Sequence, residues 1–236
     1  MRTSRGAFQL AQWLSGALPP SAALGLAEWL ADARYHWATA DRAAVTANLS
    51  ILRGSEPPAE QVREVFRNFG RYLVEFFTMH RARGPAIAVS GAEHLVEIRH
   101  RQRGAIMLAA HLGNWELGAV ALRRMGLPLT VVVLEHEHPR TTRLFDRQRR
   151  RCGLEVVPLG AHAARHCLQR LREGRMIGLV GDREFGDNGV AAMLRGQTMV
   201  LPRGPAVLSV RAQAPLVPTF LIREGPGAFR LCIEPP

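Results

Sequence analysis

The chain has 236 residues, 47% of them hydrophobic, which is enough to bury a sizeable core; one α/β domain with an N-terminal appendage is the simplest count. Its formal net charge of +11 comes from arginine alone, because the sequence contains no lysine. That excludes a lysine Schiff base with pyridoxal phosphate and the lysine of a phosphate-binding P-loop, and no G-x-S-x-G nucleophile elbow occurs.

Such a charge favours anionic partners: nucleic acid, phospholipid surfaces or an acidic carrier protein. Cys152, Cys167 and Cys232 have neither C-x-x-C nor zinc-finger spacing, which fits a reducing compartment and structural thiols.

No charge occurs between Arg5 and Glu28, but Pro19-Pro20 interrupts the span and Gln9, Gln12 and Ser15 make it amphipathic. Neither half supplies the roughly twenty apolar residues of a transmembrane helix, and no secretory cleavage pattern is present. The pattern predicts two short helices, Ala7–Ala17 and Ala22–Ala33. Trp13, Trp29, Tyr35 and Trp37 suit a membrane interface, although such helices could equally cover a soluble core. Residues 1–40 are therefore read as hydrophobic interfacial helices and 41–236 as the α/β domain.

Arg42–Leu49 continues as a helix, and Pro57-Pro58 opens a longer one at the position where proline is tolerated. Its residues Val62, Val65, Phe66, Phe69, Leu73, Phe76 and Phe77 follow helical spacing. They suit core packing, or a greasy wall for an acyl chain. Gly84-Pro85 ends that helix and the α/β body begins. Strands are expected at Ile87–Val89, Ile106–Ala110, Leu129–Leu134, Leu154–Pro158, Met176–Val180, Leu216–Ile222 and Phe229–Ile233. Helices are expected at Glu93–His100, from Trp115, and at Thr141–Arg151, Ala161–Glu173 and Pro205–Gln213. This alternation implies a mainly parallel central sheet flanked by helices.

The segment His111-Leu112-Gly113-Asn114-Trp115-Glu116 sits at a strand–turn–helix junction. On one continuous helix a separation of five places two residues on different faces, but across such a junction it can bring an imidazole and a carboxylate together. His111 would then act as a base and Glu116 would fix its tautomer. An ordinary strand-end histidine and an exposed glutamate have the same letters; the apolar strand, the Gly-Asn turn and the helix starting at the acid favour the pair.

Glu135-His136-Glu137-His138 could place two histidines on one strand face, but no third ligand is identifiable, and a loop over the site entrance is the simpler reading. His162 and His166 read as surface residues. Arg140, Arg143, Arg147, Arg149, Arg150 and Arg151 form the densest positive stretch, either a solvated face or a platform for phosphates or an acidic carrier. Gly181–Gly189 is a polar loop without calcium-loop spacing. Helix-turn-helix, zinc and aromatic-sheet motifs are not evident, which argues against the alternative of a basic, non-catalytic nucleic-acid- or membrane-binding protein.

The run His111–Glu116 closely resembles the H-x4-E motif of bacterial lipid A biosynthesis acyltransferases, relatives of the glycerolipid acyltransferases. Weaker similarity extends from Arg42 to Ile222: Arg42 with Asn48-Leu49, the Asp182-Arg183-Glu184 loop, Leu194–Gln197, Pro202–Ala206 and Pro215–Pro218. The resemblance implies a membrane enzyme on the cytoplasmic face of a bacterial inner membrane. It would move a fatty acyl group from acyl carrier protein or acyl-CoA to a hydroxyl of a membrane glycolipid. A lipid A precursor is the leading acceptor and a phosphatidylinositol mannoside the alternative. His111 and Glu116 would be catalytic. Gly113 and Asn114 would shape the turn and offer donors to the oxyanion. Arg149, four residues before Gly153, would match an arginine near the thioester, with Arg150 the alternative register. Asp182 and Arg183 would bind substrate. No metal, cofactor, covalent enzyme intermediate or nucleic acid is called for. The resemblance also implies a further tryptophan-containing helical segment after the last strands, whereas this sequence stops at Glu234-Pro235-Pro236.

Overall fold

The computed structural model describes residues 5–81, 84–100, 104–186 and 188–236. They divide into two compact units.

One unit comprises the chain up to Thr78 together with Met193–Met199. Its helices are α1 (Arg5–Ala17), α2 (Pro20–Trp37), α3 (Thr39–Arg53) and α4 (Ala59–Thr78). Pro20 occupies the first turn of α2, where a missing N–H costs nothing. Helix α4 buries Val62, Phe66, Tyr72, Val74, Phe76 and Phe77, while Val65 faces out. Val62 and Phe66 pack with Ala31 of α2, and Tyr35, Val45 and Leu49 close over them. This is the core-packing arrangement for that part of the aromatic face. Arginines clamp the bundle: Asp32 accepts from Arg63 and Arg67 at 2.6–3.0 Å, and Arg71 reaches Glu28 and Glu64. The Arg63 and Arg67 guanidiniums hold the Asp32 carboxyl well below the usual carboxylate range. Of the four aromatics expected at an interface, Trp13, Trp29 and Trp37 are 66%, 66% and 83% exposed, whereas Tyr35 packs on Phe66 within the bundle. Among the described residues no helix is long and apolar enough to cross a membrane.

The other unit, residues 79–192 and 200–236, holds a seven-stranded sheet. Its strands are β1 (Ala86–Ser90), β2 (Ile106–Ala109), β3 (Leu129–Val133), β4 (Glu155–Pro158), β5 (Met176–Val180), β8 (Leu216–Gly225) and β9 (Ala228–Ile233). The order is β1-β9-β8-β2-β5-β3-β4, and every neighbouring pair is parallel except β8–β9. The expected mainly parallel α/β sheet is therefore present. Helices α5 (Ala92–His100), α6 (Trp115–Arg124), α7 (Pro139–Arg151), α8 (Ala163–Arg172) and α9 (Gly204–Ala212) connect and cover it. Ile106 and Ile177 on adjacent strands pack with Cys167, Leu171 and Leu208 from α8 and α9. Burial there pushes the Cys167 thiol up to about 11, as suits an inert core residue.

Sequence patterning did not show the hairpin of β6 (Val190–Leu194) and β7 (Gln197–Leu201). Its turn residues Arg195 and Gly196 both have positive φ, 47° and 80°, as a two-residue hairpin turn of the primed type requires. An arginine in the first turn position is a weak signal, and the flanking residues do not alternate in polarity.

Candidate active site

The parallel pairing of β2 with β5 sets the site. Ala109 lies opposite Val180, so two residues further on His111 and Asp182 emerge side by side at the C-terminal edge of the sheet. Gly181 N–H donates to Ala109 O at 2.9 Å and keeps the two chains in step beyond the last strand residues. This is the edge at which open α/β sheets place their ligands.

Asp182 takes both the ring and the backbone of His111. Its Oδ1 lies 2.8 Å from Nδ1, and its Oδ2 accepts from the His111 backbone N–H at 3.1 Å. Burial pushes the Asp182 carboxyl upward, but the bonds and charge interaction from His111 outweigh it and hold the group below its ordinary value. An ionised carboxylate can only accept, so Nδ1 carries the proton and the lone pair of the neutral ring sits on Nε2. Nε2 has no hydrogen-bond partner among the described residues, and the His111 side chain is 31% exposed. The Trp115 ring meets the imidazole edge-on, centroids 4.7 Å apart, and restrains its tilt.

The turn after His111 is pinned from below. Gly113 has φ +63° and bridges to Leu221 of β8. A Cβ there would lie 1.8 Å from Leu221 O, so both the backbone angle and the space require glycine. Asn114 donates its N–H to Leu221 O at 3.2 Å, and its Oδ1 caps α6 by accepting from Leu117 N–H at 3.0 Å. Gly113 and Asn114 thus form the turn, and the Asn114 N–H is engaged with β8 rather than aimed at a substrate oxygen. Gly113→Ala is expected to destabilise the fold by several kcal/mol, about the scale of steric and strain defects combined, or to prevent folding. Chemical denaturation of the purified variant would check this, and a midpoint equal to wild type would exclude the close approach.

Glu116 differs from the sequence expectation in its partner. It lies in the first turn of α6, 6% exposed, and its carboxylate receives Arg149 of α7: Nε reaches both oxygens at 3.1 Å and Nη2 reaches Oε1 at 2.6 Å. Arg149 Nη1 also donates to Asp146 at 3.2 Å, and Phe145 lies 5.8 Å under the guanidinium. The reason is helical geometry. Once Asn114 caps α6, Glu116 starts the helix on the face toward α7, while His111 remains on the strand side beside β5. Arg149 is thereby brought to Glu116, not to His111. Arg150 takes a separate course, with Nη2 3.4 Å from Val156 O.

Arg183 is exposed, with its guanidinium 5.1 Å from the Phe185 ring, and Glu184 accepts from the N–H groups of Phe185 and Gly186. Asp187 of the same polar loop lies outside the described residues. His136 packs its ring 4.5 Å from Phe145, and burial together with the Arg149 charge holds its pKa below the ordinary histidine value. His138 Nδ1 accepts from Arg140 N–H and caps α7. Both histidines thus have positions that follow from the local fold.

A histidine fixed by an ionised aspartate at the C-terminal edge of a mainly parallel α/β sheet is suited to removing a proton from a hydroxyl. Residues 6–236 match the family described as bacterial lipid A biosynthesis acyltransferase. The phosphatidylinositol mannoside acyltransferase of Mycolicibacterium smegmatis is 30% identical over 221 residues, 89% of this chain and 72% of the relative. Phosphatidylinositol mannoside acyltransferases from two strains of Mycobacterium tuberculosis are 30% identical over 192 residues, 76% of this chain and 61% of their own length. The chain belongs to the bacterial lipid A biosynthesis acyltransferase family.

Proposed function

We propose that the protein is an O-acyltransferase that moves a fatty acyl group from a thioester to a hydroxyl of a membrane glycolipid, with His111 as the general base. The observation that carries this reading is the bond between His111 Nδ1 and Asp182, which leaves Nε2 available. Nε2 takes the proton of the acceptor hydroxyl as its oxygen attacks the thioester carbonyl. The tetrahedral intermediate then collapses, the C–S bond breaks, and the imidazolium returns its proton to the departing thiolate. Ester and free thiol are the products. Asp182 orients the ring and balances its charge in between. Glu116 and Arg149 brace the junction from which His111 is presented, and Arg183 stands at the mouth as a cation for an anionic substrate group.

The donor would be acyl carrier protein or acyl-CoA. For the acceptor, the family description favours a lipid A precursor, with a hydroxyacyl hydroxyl as nucleophile. The names of the relatives favour a phosphatidylinositol mannoside. Both are glycolipids held in a membrane. The exposed Trp13, Trp29 and Trp37 support attachment of α1 and α2 to its surface, on the cytoplasmic face where acyl thioesters are made.

Purified protein supplied with a fatty acyl thioester and vesicles carrying either glycolipid tests this directly. One acceptor is expected to gain the mass of one acyl chain, which names it. Thioester hydrolysis without a lipid product, on both acceptors, would overturn the transfer reading.

A further inference from the structure

We propose that a cavity within the helical unit binds a phosphoethanolamine headgroup, a phosphate and a primary ammonium on one short link, presented by a bilayer lipid. The inference does not rest on the transferase reading.

The cavity, about 560 Å³, is lined by residues of α2, α3 and the start of α4, all in the same unit. Small-ligand sites usually have about 300–1,000 Å³. Thr39, Arg42 and Thr46 line it from α3 at spacings of three and four, so two hydroxyls and a guanidinium share one helix face. Glu56 lines it from the α3–α4 connection, and Pro57 and Val62 are its buried apolar residues.

These polar groups have bonding capacity to spare. Arg42 uses only Nη1, which donates to Tyr35 O at 2.8 Å and His36 O at 3.4 Å near the end of α2. Among the described residues its Nε and Nη2 have no hydrogen-bond partner, and neither have the Thr39 and Thr46 hydroxyls or the Glu56 carboxylate. Opposite charges elsewhere in the unit find one another, as Asp32 does with Arg63, Arg34 with Asp41 and Arg71 with Glu28. Arg42 and Glu56 line one cavity without pairing. A ligand carrying both charges satisfies both.

Other ligand classes fit less well. A plain anion meets Arg42 but is repelled by Glu56. A sugar needs an open aromatic face, whereas Tyr35 has the Arg42 guanidinium 5.3 Å over its ring and meets Phe66 edge-on. A bare acyl chain would desolvate the polar groups without bonding to them. A phosphate instead accepts from Arg42 and the threonines, while an ammonium donates to Glu56. A bilayer lipid is the source, because the exposed Trp37 sits between the lining residues Tyr35 and Thr39 and suits headgroup depth.

The test floats the whole chain with phosphatidylcholine vesicles, with or without added phosphatidylethanolamine. Choline has no N–H to give Glu56, so wild type is expected to bind the mixed vesicles about fivefold more tightly, the scale of one half-exposed ion pair. Soluble glycerophosphoethanolamine should remove that gain and leave binding to phosphatidylcholine alone unchanged. Glu56→Gln changes an exposed residue with no protein partner. Its thermal midpoint and phosphatidylcholine binding should therefore match wild type while the gain disappears. Equal wild-type binding to both vesicles, or none to either, would overturn the proposal. So would a gain that survives Glu56→Gln, which would belong to bilayer packing. A stronger preference for phosphatidylglycerol would overturn it too, by marking a simple anion site.

Discussion

Replacing His111 by alanine is expected to lower acyl transfer by about a hundred- to ten-thousandfold while leaving the unfolding curve near wild type. The residue is exposed and its removal creates no cavity, so the loss would be chemical. Asp182→Asn should produce a comparable defect for a different reason. The amide can donate to Nδ1 and so favour the wrong tautomer, with the proton on Nε2. Its bond to the His111 backbone N–H can persist, so the fold should survive. Glu116→Gln is the informative contrast. If Asp182 orients the base, that variant at a temperature where it is folded should retain far more kcat than Asp182→Asn. The reverse order would restore Glu116 as the orienting acid. Linkage gives a second handle. The Asp182 pKa is depressed in the folded state, so its contribution to stability is present above about pH 4, the ordinary aspartate value, and is lost as pH falls through the folded value. Asp182→Asn should therefore flatten the acid limb of the stability curve.

These contrasts also mark what the sequence could and could not reveal. The apolar runs at Ile106–Ala109, Leu129–Val133 and Met176–Val180 identify buried strands because each is short, uncharged and bounded by breakers. The histidine at the exit of β2 and the Gly113-Asn114 turn that leads into α6 are local features, and local features are legible. The partner of His111 is not local: Asp182 is 71 residues away and meets it only because β5, not β3, lies next to β2. Strand order is decided by packing of the whole sheet, so by sequence alone a carboxylate five residues away is the natural candidate and Asp182 reads as a substrate contact. The same holds for His166, which reads as a surface histidine until β4 brings Glu155 to 3.0 Å from its Nε2. Burial works against Glu155, but Arg170, Thr130 and His166 hold its pKa down to about 2.

Arg149→Ala is expected to cost about 3–5 kcal/mol of stability, because it leaves Glu116 buried without its cation. Both side chains are under a tenth exposed, so water cannot take over the lost hydrogen bonds. Urea unfolding followed by circular dichroism would read the loss as a lower midpoint at unchanged slope. A double variant, Glu116→Leu/Arg149→Met, should recover much of it, since a pair of matched apolar side chains removes the desolvation problem that one deletion exposes. Arg149→Lys separates structure from chemistry. A lysine keeps the charge but cannot engage both Glu116 oxygens and Asp146 at once. If the guanidinium acts by bracing α6 against α7, Arg149→Lys should lower the midpoint and leave kcat close to wild type wherever the protein is folded. If instead it steadies the oxyanion of the thioester, the role that the sequence resemblance implies for Arg149 or Arg150, kcat should fall by about a hundredfold or more at temperatures well below unfolding. The geometry favours the first outcome, because the guanidinium is turned to Glu116 and Asp146 and the His111 ring is held by Asp182.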